Sequence, residues 1–222
     1  MKLKAMADLL LKSIYPAKCP FCGTALPAGA YCCDDCKSQL HPAMQRRRYR
    51  LADGQILDCY AVYTYEGAMR EAIHRFKFQD CRDIGPTLSQ LALAEEMVRS
   101  LLQRVDVITA VPISKNRRRE RGYNQSELLA RPFQEYSGVP YAALLQKVID
   151  TPSQSSLDRQ GRLQSVIGAY GPAKGADSTG KRVLLVDDIV TTGATLCACT
   201  KVLYAMGAAS VVAVTVCHAD FS

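Results

Sequence analysis

The stretch from Arg182 to Leu196, RVLLVDDIVTTGATL, constrains this chain more than any other. Val183, Leu184, Leu185 and Val186 form a short apolar run, β-branched at two of its positions, that suits a strand buried on both faces of a parallel sheet. Asp187 and Asp188 end the run. Thr191, Thr192, Gly193, Ala194 and Thr195 follow as a hydroxyl-rich turn leading into a helical pattern. The first N–H groups of a helix have no intrahelical partner, and the helix dipole favours an anion there. Gly193 lets a phosphate come close, and the threonines can donate hydroxyls to it. Carboxylates beside a phosphate repel it unless they face something else. Ribose hydroxyls, or a Mg²⁺ shared with other phosphate oxygens, suit them. The plainer alternative, a surface acidic turn before a Thr-capped helix, does not account for the order of strand, acid pair, TTGxT and helix.

A chain of 222 residues holds one medium domain and a small appendage. With 48% hydrophobic and 22% charged residues and a mean hydropathy of -0.05, it reads as soluble and globular. The formal charge of +7 permits binding to phosphates or nucleic acid without requiring it. Four thiolates on one Zn²⁺ would lower that surplus to about +5. The opening MKLKAMADLLLKSIYPAKC is a poor signal peptide, because Asp8 and Lys12 interrupt its apolar stretch. Leu3, Met6, Leu10 and Ile14 predict a short amphipathic helix instead. No run suggests a membrane span, and a cytoplasmic location is expected.

Of the ten cysteines, four form the pairs Cys19/Cys22 and Cys33/Cys36. Two intervening residues let both thiolates of a pair reach one tetrahedral ion, so the spacing predicts a zinc ribbon. With no open fourth position, the metal's role is structural. Cys32 could replace Cys33, but Cys32 to Cys36 is the less usual spacing. Free or redox cysteines are the alternative; a thioredoxin-like C-x-x-C would be single and lie in a βαβ context.

Arg46, Arg47, Arg48 and Arg50 read as a solvated linker, with a nucleic-acid patch as the minor alternative. The division is expected there, with residues 1–45 as helix and zinc module and 46–222 as the large domain. LDCYAVYTYE predicts a strand, AMREAIHRFKF a helix after Gly67, and Pro86 to about Leu102 a second helix. Val105 to Ile113 predicts a parallel strand. A basic loop follows, with Lys115, Arg117, Arg118, Arg119 and Arg121, and then a helix capped by Asn124 with Glu127 three residues on. Ligands of open α/β sheets lie at the C-terminal ends of strands, so this loop is expected to face the crevice of Asp187 and Thr191. A solvated charge run is the alternative for most of these arginines. Residues 144–149 and Val166 to Tyr170 predict strands, and the polar 150–165 segment between them a mobile active-site loop. Leu196, Cys199, Leu203 and Met206 stripe the helix after the turn, and SVVAVTV is the final buried strand. GADSTGKR mimics a nucleotide-binding P-loop but precedes a strand and has Arg182 where Ser or Thr is needed.

VLLVDDIVTTGAT resembles the phosphoribosyl-pyrophosphate (PRPP) signature of type I phosphoribosyltransferases, in which the acids bind ribose hydroxyls and the Thr/Gly turn the 5′-phosphate. Together with CPFCG…CCDDC, VPISKNRRRERGYNQSELLA and TPSQSSLDRQGR, nearly the whole chain resembles the ComF family. That resemblance implies an N-terminal zinc module fused to a phosphoribosyltransferase-like α/β domain, a parallel sheet flanked by helices. It implies transfer of ribose 5-phosphate from PRPP with Mg²⁺, in the setting of DNA uptake. Asp187 and Asp188 become the catalytic candidates. Thr191 to Thr195, with Ser114, Lys115, Arg121 and Gly122, are the PRPP-binding candidates. Gln154, Arg159 and Arg162 belong to the mobile loop, where Ser165 stands in place of the family's usual Asn. A second implied reading is a non-catalytic PRPP or phosphate sensor that binds single-stranded DNA or a helicase-like competence partner.

Overall fold

The protein is described by a computed structural model covering residues 18–27, 29–149, 166 and 168–219. The expected helix before residue 15 and the loop candidates Gln154, Arg159 and Arg162 lie outside the described residues.

The sheet has five strands: β1 (Gln45–Arg50), β2 (Ile56–Thr64), β3 (Val107–Ala110), β6 (Arg182–Val190) and β7 (Ser210–His218). Their spatial order is β1-β2-β7-β6-β3. β1 runs antiparallel to β2, and the other pairings are parallel. The apolar run of β6 is explained by two cores. Leu184 and Val186 pack on one side of the sheet, and Val183 and Leu185 on the other. The first side is covered by α2 (Gly67–Phe78), α3 (Ile84–Leu93), α4 (Glu96–Leu102) and α6 (Gln125–Ser137). The second is covered by α7 (Ala194–Ala205) and the β4–β5 ribbon (Leu145–Lys147 with Tyr170–Pro172). Leu196, Cys199 and Leu203 form the buried stripe of α7, as the periodicity predicts. The short helix α1 (Asp34–Gln39) carries Cys36, and Cys33 is its N-cap.

Several expectations need correction. The arginine-rich stretch is a strand and not a linker. Arg46, Arg48 and Arg50 face solvent, while Gln45, Arg47 and Tyr49 turn inward. Arg46 and Arg48 both pair with Asp58 on β2, at 2.8 and 2.9 Å. The single helix expected from Pro86 to Leu102 is two, because Glu95 is extended; Arg99 Nη1 donates to the carbonyls of Leu93 and Ala94 at the break. The strand of residues 105–113 narrows to β3, that of 144–149 to β4, and the one expected at Val166 begins only at Tyr170.

The basic loop is also a helix, α5 (Lys115–Arg121). Ser114 caps its start by accepting from Arg117 N, and Gly122 ends it in the left-handed region at φ 76°. The charge run hid the helical period. Asn124 then caps α6, accepting from Ser126 N at 3.2 Å.

Candidate functional site

A cavity of about 260 Å³ opens where the C-terminal ends of four parallel strands meet. Tyr65 follows β2, Ala219 follows β7, Val111 to Ile113 follow β3, and Asp187 to Val190 end β6; all of them line it. This is the edge at which open α/β sheets hold ligands, because the strands end there and helix N-termini converge.

The two acids are held differently. Asp187 Oδ1 accepts from Ser126 Oγ at 2.8 Å and from Asp188 N at 3.0 Å. Asp188, 7% exposed, pairs through Oδ2 with Lys77 Nζ at 2.9 Å. Burial, with the charge of Asp188 alongside, pushes the Asp187 carboxyl well above the usual carboxylate range.

The turn after β6 is braced from behind by β1. Arg47 Nη1 donates to the Thr191 carbonyl at 3.1 Å. Gly193 precedes α7 at φ 78°, and a Cβ there would lie 2.4 Å from the Tyr49 ring, so both conformation and packing require glycine. Thr192 Oγ1 accepts from Ala194 N at 3.3 Å. Residues Thr191 to Leu196 line the cavity, and the N–H groups of the first turn of α7 precede its helical ladder.

Arg117 and Arg121, four residues apart on α5, face the same space, while Lys115, Arg118 and Arg119 are exposed and do not line it. Arg121 stacks on Phe78, with its Cζ 5.0 Å from the ring centre, and its burial lowers its pKa. Of the expected site residues, the structure thus gathers Asp187, Asp188, Thr191, Thr192, Gly193, Ala194, Thr195 and Arg121. Ser114, Lys115 and Gly122 do not line the cavity. Ser114 and Gly122 are the caps of α5, and a side chain at Gly122 would meet Arg82 Nη2 at 2.4 Å.

The cavity also contains residues not anticipated from sequence: Lys77, Phe78, Gln125, Ser126, Lys147 and Tyr170. Gln125, 2% exposed, has an Nε2 without a hydrogen-bond partner among the described residues. Its position beside the Asn124 cap, inside the RGYNQS motif, is the one sequence signal that marked it.

A second cluster lies at the N-terminal end. The Sγ atoms of Cys19, Cys22, Cys33 and Cys36 all fall within 4.8 Å of one another, so the group could hold a metal ion such as zinc. Tetrahedral Zn–S bonds of about 2.3 Å place sulfurs about 3.8 Å apart. Cys22 and Cys33 Sγ are 3.6 Å apart. Cys32 Sγ is buried 4.0 Å from Cys19 Sγ and donates to the Cys33 carbonyl.

A parallel sheet whose strand ends gather an acid pair, a Thr/Gly turn and a helix start defines a phosphoribosyl transferase domain, and that family matches residues 91–220. The chain belongs to this family, on the branch that includes the competence protein ComFC. It is 31% identical to competence protein ComFC of Bacillus subtilis (strain 168), over 90% of this chain and 77% of that protein. It is 30% identical to DNA utilization protein YhgH of Salmonella typhimurium, over 87% and 80% of the two. With competence protein F of Haemophilus influenzae it shares 29% identity, over 85% and 79%. Among the described residues no helix is long and apolar enough to cross a membrane.

Proposed function

We propose that this protein binds PRPP and transfers its ribose 5-phosphate group to a nitrogen nucleophile, releasing pyrophosphate, in the cytoplasmic handling of incoming DNA. The observation that carries the reading is the convergence of Asp187, Asp188, the 191–195 turn, Arg117 and Arg121 on one cavity. In this reading Asp187 and Asp188 accept hydrogen bonds from the ribose hydroxyls. Their negative charge stabilises the oxocarbenium-like charge that develops at the anomeric carbon, where fixed charge is most effective. The 191–195 turn and the start of α7 hold the 5′-phosphate. Arg117 and Arg121 orient the pyrophosphate as it departs. Asp187 Oδ2 and Asp188 Oδ1, which carry no hydrogen bond among the described residues, are oxygen donors of the kind that suits a Mg²⁺–PRPP complex. Mg²⁺, when bound with PRPP, supplies charge neutralisation at the pyrophosphate. The four-cysteine cluster would hold a structural Zn²⁺ in the 1–45 module.

A second reading, a PRPP or phosphate sensor that contacts single-stranded DNA or a competence partner, is favoured by one observation. Lys115, Arg118 and Arg119 of α5 are exposed and do not line the cavity. Measuring pyrophosphate release from PRPP with a panel of nucleobases separates the two. Turnover supports the transferase. PRPP binding without turnover, joined to DNA binding that weakens steeply with salt, supports the sensor.

A further inference from the structure

The acid pair of the cavity already contains a cation. Lys77 projects from the last turn of α2, where the helix dipole favours positive charge, and its ammonium sits 2.9 Å from Asp188 Oδ2. The side chains of Lys77 and Asp188 are 23% and 9% exposed, so the pair is screened by little water yet opens into the cavity. Asp187 is treated differently, by a hydroxyl and a backbone N–H. A lysine ammonium carries three N–H donors. One is committed to Asp188, which leaves two that can reach a ligand oxygen in the space Lys77 lines.

We propose that Lys77 is a PRPP-binding residue that bridges Asp188 to the anionic oxygens of the ligand, acting as a resident cation so that carboxylates and phosphates share one small cavity without a divalent ion. The proposal rests on the PRPP reading above and adds a residue and a consequence to it. Carboxylates that share a cavity with phosphates need intervening positive charge, and Arg117, Arg121 and Lys147 line the same space as Lys77. Among the described residues, Lys77 is the cation in direct contact with an acid of the pair. It follows that PRPP affinity has a component independent of Mg²⁺, and that Lys77 contributes to it.

The test is calorimetric titration of PRPP into the full chain, with saturating Mg²⁺ and with chelator at concentrations that spare the cysteine cluster's metal content, checked by metal analysis. The natural chain is expected to bind in both conditions. Lys77→Gln keeps a donor for Asp188 but removes the charge. It is expected to lose about tenfold or more of the Mg²⁺-free affinity, the worth of a hydrogen bond to a charged group. Its affinity in saturating Mg²⁺ should change by a smaller factor. Lys77→Arg, which keeps the charge, is expected to retain most of the Mg²⁺-free binding and guards against misreading a folding defect. Equal losses of the Gln variant in both conditions would assign Lys77 a structural role and overturn the proposal, as would no loss in either. Binding of the natural chain only in Mg²⁺ would overturn it while leaving the PRPP reading intact. No binding of the natural chain in either condition would overturn both.

Discussion

Arg75 donates from Nη2 to the carbonyl oxygen of Pro20, tying the first cysteine knuckle to the helix that presents Lys77 to the cavity. The same nitrogen reaches the Phe21 carbonyl at 3.3 Å. Thr87 Oγ1 makes a second tie, donating to the Tyr31 carbonyl at 3.0 Å. The cysteine cluster is thus seated directly on α2 and α3, and Phe21 and Tyr31 pack against the same core as Phe76.

That tie predicts communication between metal and ligand. Removing the metal proposed for the cluster should weaken PRPP binding by about 1 kcal/mol, the worth of an ordinary hydrogen bond, because the Pro20 carbonyl no longer steadies Arg75. Arg75→Met should show the weaker affinity at the outset and respond no further to metal removal. Calorimetry on metal-loaded and metal-stripped protein, natural and variant, measures both.

Gly193 is pinned twice, by a φ of 78° and by the Tyr49 ring against the position a Cβ would take. Gly193→Ala should destabilise the fold by about 1–2 kcal/mol for the left-handed conformation, with a further ~1–3 kcal/mol for overpacking against the ring. Adding Tyr49→Leu should recover the packing part alone. The readout is the denaturant midpoint of the single and double variants; full recovery by the double variant would mean that conformation costs nothing there.

Asp187 predicts a pH dependence. Its folded pKa is raised, first by burial and then by Asp188, above an unfolded value of about 3.9. The folded state therefore holds a proton that the unfolded state has released, and stability contributed by the neutral form declines as pH rises from that unfolded value through the raised folded one. Asp187→Asn should flatten that decline. Ligand binding that needs the carboxylate has the opposite sign: PRPP affinity should rise with pH over the upper part of the window, with proton release on binding. Titrations in buffers of different ionisation enthalpy count the released proton, which the Asn variant should lack.

Gln125 separates stability from binding. Its buried Nε2 has no partner among the described residues, so replacing it with Met removes an unsatisfied donor and should leave the melting temperature unchanged or raised. If a ligand oxygen completes that donor, the same change should weaken PRPP binding about tenfold or more, as for a hydrogen bond to a charged group. A fall in melting temperature together with unchanged binding would place Gln125 in the scaffold.

The sequence by itself determined the features whose cause is local. The β6 run, the acid pair, the 191–195 turn and the stripe of α7 are contiguous, and each follows from strand burial, glycine conformation or helix periodicity. The C-x-x-C spacings are local too, and the four sulfurs they select are the ones that cluster. Only the tertiary structure decided what surrounds the acids. Ser126 reaches Asp187 across 61 residues and Arg47 reaches Thr191 across 144, because the spatial order β1-β2-β7-β6-β3 is not the order of the chain. Lys77 looked like any polar residue on an amphipathic helix, and its partner is set by where the last turn of α2 meets the end of β6. The arginines of β1 and α5 misled for a related reason. Charge dominates their local pattern, and the alternation or helical period beneath it becomes visible only once Asp58, Tyr49 and the cavity supply something for each face to meet.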